Sequence, residues 1–388
     1  MEELLIVKYG EVVLKGNNRR EFVNTLIRNI RQVLAGLGRY RVHKAQAMLY
    51  LEPEEGFDLD EAARRLGRVF GVHLFHRAKK VEKSLEAIRQ DTVDYFSDDL
   101  NRSKTFKIEA RRSDKQFAHR SQELNNILGR DVGQAFPHLR VDVHHPDITL
   151  YVNIRKEGVY IYRNQERGPG GLPVGTGGRA TALLSGGIDS PLAAWLIARR
   201  GVAINALHFH SYPYTSERSR KKVEQLARIL ARYTGAFRLY VFPFTEIQEA
   251  IADYCPKEQL TILMRRMMMK SAEKLAAQNQ SQALVTGESI GQVASQTMES
   301  LSVTDAAVNL PVFRPLIGMD KEEIIRYARH IGTYETSIQP HSDCCTLFVP
   351  KHPQTKPKLH HIEASEKRVD FDGLIDKALE KLEVEEVN

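Results

Sequence analysis

The chain has 388 residues, 42% of them hydrophobic and 27% charged, which fits a globular protein of two or three domains. Its formal charge of +7 favours a polyanionic partner. No apolar run is long enough to span a membrane, Met1-Glu2-Glu3-Leu4 lacks the layout of a secretion signal, and three cysteines make no disulfide framework. No membrane association and a reducing cytoplasm are the expectations.

Glu3 to Lys8 reads as a strand and Gly16-Asn17-Asn18 as a turn. From Arg19 to Leu37 apolar residues recur at helical spacing (Val23, Leu26, Ile27, Ile30, Val33, Leu34, Leu37), and Gly38 stops the helix. Tyr40 to His43 and Met48 to Leu51 add two strands, giving a β-α-β-β unit over residues 1–53. Arg19, Arg20, Arg28 and Arg31 fall mostly on the helix face away from the apolar stripe, where a solvated face and an RNA contact are both open readings. Over 54–165, helical patterns at Asp60 to Leu66 and Leu85 to Phe96 precede a strand from Thr105 to Ala110. A polar, basic loop from Arg111 to Phe117 then leads into a helix from Ser121 to Phe136, followed by a hairpin of Ile148 to Ile154 and Val159 to Tyr162. This order resembles a THUMP domain, an RNA-binding module of tRNA-modifying enzymes, and implies Arg111, Arg112, Lys115 and Arg120 as phosphate contacts.

Residues 166–179, rich in glycine, could not build a core and read as a linker or functional loop. From Ala180 to the C-terminus the pattern is α/β: strands at Ala180 to Leu184, Val202 to Phe209, Phe237 to Phe242 and Gln282 to Thr286 alternate with helices. Asp320 and Glu323 have the spacing of a capping box, starting a helix to Ile331. Alternation of this kind predicts a doubly wound parallel sheet with its ligand at the strands' carboxyl ends. The acidic tail after Asp376 reads as helical.

The most informative stretch is Leu183-Leu184-Ser185-Gly186-Gly187-Ile188-Asp189-Ser190-Pro191, a glycine turn between a strand and a helix. Gly186 and Gly187 allow close approach of the backbone to an anion, Ser185 and Ser190 offer hydroxyls, and Pro191 suits the first helical position. Asp189 beside a phosphate needs a cation between them, so it reads as a Mg²⁺ ligand. The order excludes a Walker-type loop, which requires a lysine here. It resembles the SGGxDS signature of PP-loop ATP pyrophosphatases, which adenylate a substrate oxygen and release pyrophosphate.

Taken together, an N-terminal ferredoxin-like unit, a THUMP-like unit and a PP-loop unit resemble the tRNA 4-thiouridine synthetase family along essentially the whole chain. The run Gly170-Gly171-Leu172-Pro173-Val174-Gly175-Thr176 and the run Leu183 to Pro191 are the most specific matches. The resemblance implies that ATP activates uridine 8 of tRNA and that sulfur then replaces its O4. It assigns pyrophosphate to Ser185, Gly186, Gly187 and Ser190, Mg²⁺ to Asp189, and phosphate charge to Lys321. Adenosine would contact Leu183, Leu184, His208, Phe209, Arg265, Gly287 and Gln296. A persulfide would be carried on Cys345, in Asp343-Cys344-Cys345, with Cys255 left as a packing residue. Some members continue into a rhodanese-like domain, for which this chain ends too soon; sulfur is then expected from a cysteine desulfurase or another persulfide donor, and a thiamine thiazole role is left in doubt. A homodimer sharing one tRNA would suit a front half far from the active site. Against these stand a PP-loop ligase for a small metabolite and an RNA-binding protein with a decayed ATP loop; the intact Ser185 to Ser190 run opposes the latter. The three cysteines form no C-x-x-C pair for an iron–sulfur cluster, and His208-x-His210 has no matching partners for zinc.

Overall fold

Two units, Met1–Gly171 and Leu172–Asn388, divide the chain in the computed structural model. It describes residues 3–45, 47–293, 295–340 and 354–388.

In the first unit the elements run β1 (Glu3–Tyr9), α1 (Arg19–Val33), β2 (Tyr40–Ala45), β3 (Met48–Pro53), α2 (Leu59–Leu66) and β4 (Val72–Val81). They continue with α3 (Leu85–Tyr95), α4 (Ser97–Arg102), β5 (Thr105–Arg112), α5 (Ser121–Ala135), β6 (Arg140–Val141), β7 (Ile148–Ile154), β8 (Val159–Arg163) and β9 (Glu166–Arg167). One sheet holds all of these strands, in the order β2-β3-β1-β4-β8-β7-β5-β6, with β9 on β4. The expected break after residue 53 therefore falls inside one continuous sheet, whose central strand β4 pairs antiparallel with both β1 and β8. The α1 helix buries Val23, Leu26 and Ile30, as its spacing required, but ends four residues before the expected Leu37, where Gly36 and Gly38 take positive φ. Leu124, Leu128 and Val132 of α5 join Ile88 of α3 and the inward residues of β5, β7 and β8 in a second core.

Residues 166–179 are not a free linker. The N–H of Gly170 bonds the Val72 carbonyl at 2.8 Å, and a Cβ at Gly168 would lie 2.4 Å from that same oxygen. In the second unit, Gly175 and Gly177 both donate to the Gly201 carbonyl, at 2.8 and 2.9 Å. Glycine here permits close packing of backbone on backbone rather than slack.

The second unit contains β10 (Arg179–Leu183), α6 (Asp189–Ala198), β11 (Ala203–His210), α7 (Glu217–Thr234), β12 (Phe237–Pro243), α8 (Thr245–Tyr254), α9 (Leu260–Gln278) and β13 (Ala283–Val285). It ends with α10 (Met298–Asp305), β14 (Val312–Phe313), α11 (Lys321–Ile331), α12 (Tyr334–Ser337), α13 (Leu359–Glu366), α14 (Phe371–Glu380) and β15 (Glu383–Val387). The sheet order is β14-β13-β10-β11-β12-β15, parallel throughout except for the last strand. That exception corrects the reading of the tail: α14 stops at Glu380 and the acidic end runs antiparallel to β12. Arg220 pairs with Glu383 and Glu385, and Arg238 with Glu386, so the acidic strand finds its cations across the edge it covers. The helix α6 begins two residues earlier than expected, so Pro191 stands third rather than first, still among positions whose N–H has no helical partner.

Candidate active site

The site forms where β10, β11 and β13 end. After Leu183 the chain turns through Ser185-Gly186-Gly187 into α6, and the two serines close that turn on itself. Ser190 Oγ accepts the Ser185 N–H at 2.8 Å and lies 3.1 Å from Ser185 Oγ, which in turn accepts the Gly187 N–H at 3.2 Å. No side chain caps the N-terminus of α6, which leaves its positive dipole end directed to a ligand. The next strand supplies a wall from the other side. Gly287 follows β13, and a Cβ there would lie 2.7 Å from both the Asp189 carbonyl carbon and the Ser190 nitrogen. Only glycine lets these two backbones meet.

Asp189, first in α6, has both carboxylate oxygens held. Lys321 Nζ donates to Oδ1 at 3.0 Å and Gln292 Nε2 to Oδ2 at 2.9 Å. Lys321 reaches it from the first turn of α11, whose expected capping box is present: Asp320 accepts from the Glu323 N–H at 2.8 Å and Glu323 accepts from the Asp320 N–H at 3.3 Å. Sequence reading singled out both members of the Asp189–Lys321 pair but not the pairing, nor Gln292, which sits in an irregular loop with no motif spacing.

The cleft is lined by Leu183, Leu184, Ser185, Asp189, Ser190, His208, Phe209, Arg265, Gly287 and Gln296, so it gathers ten of the expected residues from four separate stretches. Gly186 and Gly187 belong to the turn beside it. His208 is buried, and burial pushes its imidazole down to about 4, so the ring is neutral near pH 7. Its Nδ1 lies 3.1 Å from the Leu184 carbonyl; a neutral ring bonded there carries its proton on Nδ1, leaving Nε2 an acceptor. Gln296 Oε1 is a buried acceptor with no protein partner, and such an atom lining a cleft calls for a donor from a ligand.

A charged cluster that the sequence did not disclose supports this wall. Glu288, almost fully buried, accepts from Arg265 at 2.9 Å, from Arg314 at 2.5 Å and from Thr286 Oγ1 at 2.9 Å. Burial alone would raise the Glu288 carboxyl, but Arg265 and Arg314 outweigh it and hold it below the usual range. Arg314 is tied in turn to Asp305, and Arg265 donates to the Ser295 carbonyl at 2.8 Å, so the guanidinium facing the cleft is fixed by the groups behind it.

Among the described residues no group of three or more His, Cys, Asp or Glu side chains could hold a metal ion. A single carboxylate at a phosphate site is compatible with Mg²⁺, which takes most of its ligands from phosphate and water. Cys344 and Cys345 lie outside the described residues. Cys255 is buried, with Sγ 3.7 Å from the Ser365 carbonyl, as expected of a packing residue.

In the first unit, Arg111 and Arg112 are the last two residues of β5, so the basic loop starts at Ser113, later than expected. Arg111 pairs with Glu109, and Arg112 donates to the Phe117 carbonyl at 2.8 Å. Lys115 and Arg120 are exposed. Between them the loop is pinned by buried Asp114, which pairs with Lys83.

A parallel sheet with a serine–glycine turn, a helix N-terminus and an aspartate at its carboxyl end defines a nucleotide-binding α/β protein of the PP-loop class. Comparison with known proteins narrows this. The family models for the ThiI ferredoxin-like domain, the THUMP domain and the thiamine biosynthesis protein ThiI match residues 4–75, 82–164 and 175–371. A probable tRNA sulfurtransferase of Alkaliphilus oremlandii is 49% identical, with 100% of this chain and 99% of the relative covered. One from Acetivibrio thermocellus is 51% identical over 99% and 98%. The fold is similar, at a TM-score of 0.92 and 37% identity over the full length of both chains, to a 4-thiouridine synthetase solved in complex with RNA and bound ATP. The chain belongs to the ThiI family.

Proposed function

We propose that this chain is an ATP-dependent tRNA sulfurtransferase that adenylates uridine 8 and replaces its O4 with sulfur, giving 4-thiouridine. The observation that carries the reading is the Asp189–Lys321 contact at the N-terminus of α6, beside a cleft whose wall holds an acceptor, Gln296 Oε1, suited to the amino group of adenine. The carbonyl oxygen of uridine is a poor leaving group. Its attack on the α-phosphorus of ATP breaks the bond to pyrophosphate and turns O4 into the far better leaving group AMP, with loss of the N3 proton. Positioning and charge stabilisation supply most of the catalysis. The turn Ser185–Gly187 and the first N–H groups of α6 would hold the departing pyrophosphate, and Lys321 would neutralise charge on it. Asp189 would hold Mg²⁺, which would supply positive charge to offset that of the phosphates. Leu183, Leu184, His208, Phe209, Arg265, Gly287 and Gln296 would enclose the adenosine.

Sulfur delivery falls to Cys345 in this reading. On each side of 341–353 a described residue is hydrogen-bonded to a residue beside the cleft. Before it, Ser337 Oγ donates to the Gly187 carbonyl at 3.3 Å and Lys222 Nζ to the Gln339 carbonyl at 2.9 Å. After it, Thr297 Oγ1 donates to the Thr355 carbonyl at 2.7 Å, next to Gln296. The terminal sulfur of a Cys345 persulfide would attack C4 and expel AMP. Attack of the Cys344 thiolate on the sulfur of Cys345 then breaks the S–S bond, frees thiouridine and leaves a Cys344–Cys345 disulfide for an external thiol to reduce. The persulfide would come from a cysteine desulfurase or another carrier. In the first unit Arg111, Arg112, Lys115 and Arg120 would contact tRNA phosphates, and a homodimer could share one tRNA.

The test is mass spectrometry of tRNA nucleosides after incubation with enzyme, ATP, Mg²⁺ and a desulfurase with cysteine. Thiouridine at position 8 is expected. Cys345→Ala should abolish it while tRNA-stimulated pyrophosphate release persists. Full thiolation by Cys345→Ala would remove the persulfide step, and pyrophosphate release independent of tRNA would favour a small-metabolite ligase.

A further inference from the structure

The proposed chemistry gives parts to Asp189 and Lys321 but none to Gln292, the second donor on the same carboxylate. Gln292 Nε2 donates to Asp189 Oδ2 at 2.9 Å, and Lys321 Nζ donates to Oδ1 at 3.0 Å. An ionised carboxylate only accepts, so the amide has to turn its nitrogen toward it. A single donor leaves the carboxylate free to pivot about its Cβ–Cγ bond, where the torsion is broad. A second donor, on the other oxygen, fixes its plane.

The loop that carries Gln292 is itself held at several points. Ser289 Oγ donates to the Met319 carbonyl at 2.8 Å and the Ile290 N–H to the Ile317 carbonyl at 3.1 Å, which anchors the loop on the segment leading to Lys321. Further on, the Gly291 N–H bonds the Gln296 carbonyl at 3.0 Å, and the Gln296 N–H bonds the Val293 carbonyl at 2.9 Å. The loop thus closes on itself at the residue whose Oε1 awaits a donor in the cleft. Gln292 is half-buried and extends from this fixed backbone, whereas the side chain of Lys321 is long, flexible and 45% exposed.

The two donors also differ in charge. The ammonium of Lys321 is drawn to phosphate as well as to Asp189, and it repels any other cation that approaches the carboxylate. The amide of Gln292 is neutral, so it neither leaves for phosphate nor opposes a cation. We propose that Gln292 is a positioning residue that keeps the Asp189 carboxylate in one orientation whether or not phosphates are present, an inference that rests on the adenylation reading above. A carboxylate already in place when charge develops needs no reorganisation.

Pyrophosphate release with tRNA, ATP affinity by calorimetry with and without Mg²⁺, and the thermal midpoint test this together on the full chain. Gln292→Ala should lower kcat about tenfold, with KM for tRNA and the midpoint unchanged. Gln292→Met, of similar length but without a donor, should lose as much. ATP affinity without Mg²⁺ should match the parent, and the gain that Mg²⁺ brings should shrink several-fold. Asp189→Ala/Gln292→Ala should be no slower than Asp189→Ala alone, since the amide acts only through that carboxylate. Full recovery in Gln292→Met, or a fall in the midpoint alongside the loss of rate, would make Gln292 a packing residue and overturn the proposal. So would additive losses in the double variant, or a Mg²⁺-dependent gain equal to the parent's. Calorimetry requires no turnover. A parent that binds ATP with Mg²⁺ but releases no pyrophosphate with tRNA would therefore refute the proposed reaction, and the gain measured in Gln292→Ala would still decide the role of the amide.

Discussion

The two units use charge in opposite ways. In the first, the arginines and lysines assigned to RNA stand at a strand end and along a loop, exposed or half-exposed and each with at most a local partner, as with Arg111 on Glu109. In the second, the charges that matter are held from several sides: Asp189 between Lys321 and Gln292, and Glu288 between two arginines and a threonine. An exposed cation contributes to affinity through counterion release, roughly additively and with strong salt dependence. A held charge in a cleft acts by being already in place when charge develops, so its loss is expressed in rate rather than affinity. The contrast predicts graded, salt-sensitive mutants in one unit and near-complete losses in the other.

The largest effect should follow Asp189→Ala or Lys321→Ala, each cutting tRNA-stimulated pyrophosphate release by at least about 10²-fold with little change in tRNA affinity. Since the two side chains touch, the double variant should be hardly slower than either single one, which a double-mutant cycle would read directly. Additive losses would mean that the pair acts as two independent charges. Gly287→Ala comes next. Its methyl group would push on the first turn of α6, so release should fall by roughly tenfold and the thermal midpoint with it, in line with about 1–3 kcal/mol for forced overpacking. An unchanged rate would show that the turn can yield without disturbing catalysis. Arg111→Ala/Arg112→Ala/Lys115→Ala should weaken tRNA binding about tenfold at low salt and flatten the plot of log affinity against log salt by about 2. Its rate at saturating tRNA should match the parent, and a rate defect there would blur the distinction between the units.

Much of this was legible because it depends on local rules. The capping box at Asp320 and Glu323, the stripe of Val23, Leu26 and Ile30, and the serine–glycine turn each follow from spacing that any chain would have to obey. What escaped notice depends on partners distant in sequence. β4 was invisible because it carries His73, His76, Arg77, Lys79 and Lys80 among its apolar residues, although it is central to the sheet. Its basic residues are accommodated by neighbours no pattern reveals, such as Glu3 and Asp60 around Arg77 and Asp91 beside Lys79. Similarly α9 has buried residues nearly all round, so it lacks a clear helical stripe, and it buries Arg266 against Glu366 a hundred residues on. The acidic tail looked helical by composition; the cations of α7 and β12 made it a strand.

The smallest predicted effect concerns His76, a titratable group that the first unit buries without an ion-pair partner among the described residues. The ring stacks on Tyr162 at 4.0 Å with planes 10° apart. Burial, reinforced by the charge of Lys8, pushes its imidazole down to about 3. The folded chain therefore refuses a proton that the unfolded chain accepts near its ordinary value of 6.5. This contribution to stability is complete above about pH 6.5 and declines as the pH falls toward 3, amounting to about 2 kcal/mol lost at pH 5. His76→Phe keeps an aromatic ring against Tyr162 and has nothing to protonate, so its unfolding midpoint should fall less between pH 7 and pH 5 than that of the parent. His208, buried in the second unit and held down to about 4, titrates over an overlapping window and remains in the variant. The acid slope should therefore be reduced but not abolished, since His208, His210 and the ion-paired carboxylates also hold stability against acid. If His76→Phe leaves the slope unchanged, His76 is not the proton-refusing group of the first unit, and its acid sensitivity must come from the surface ion pairs that otherwise characterise that half of the chain.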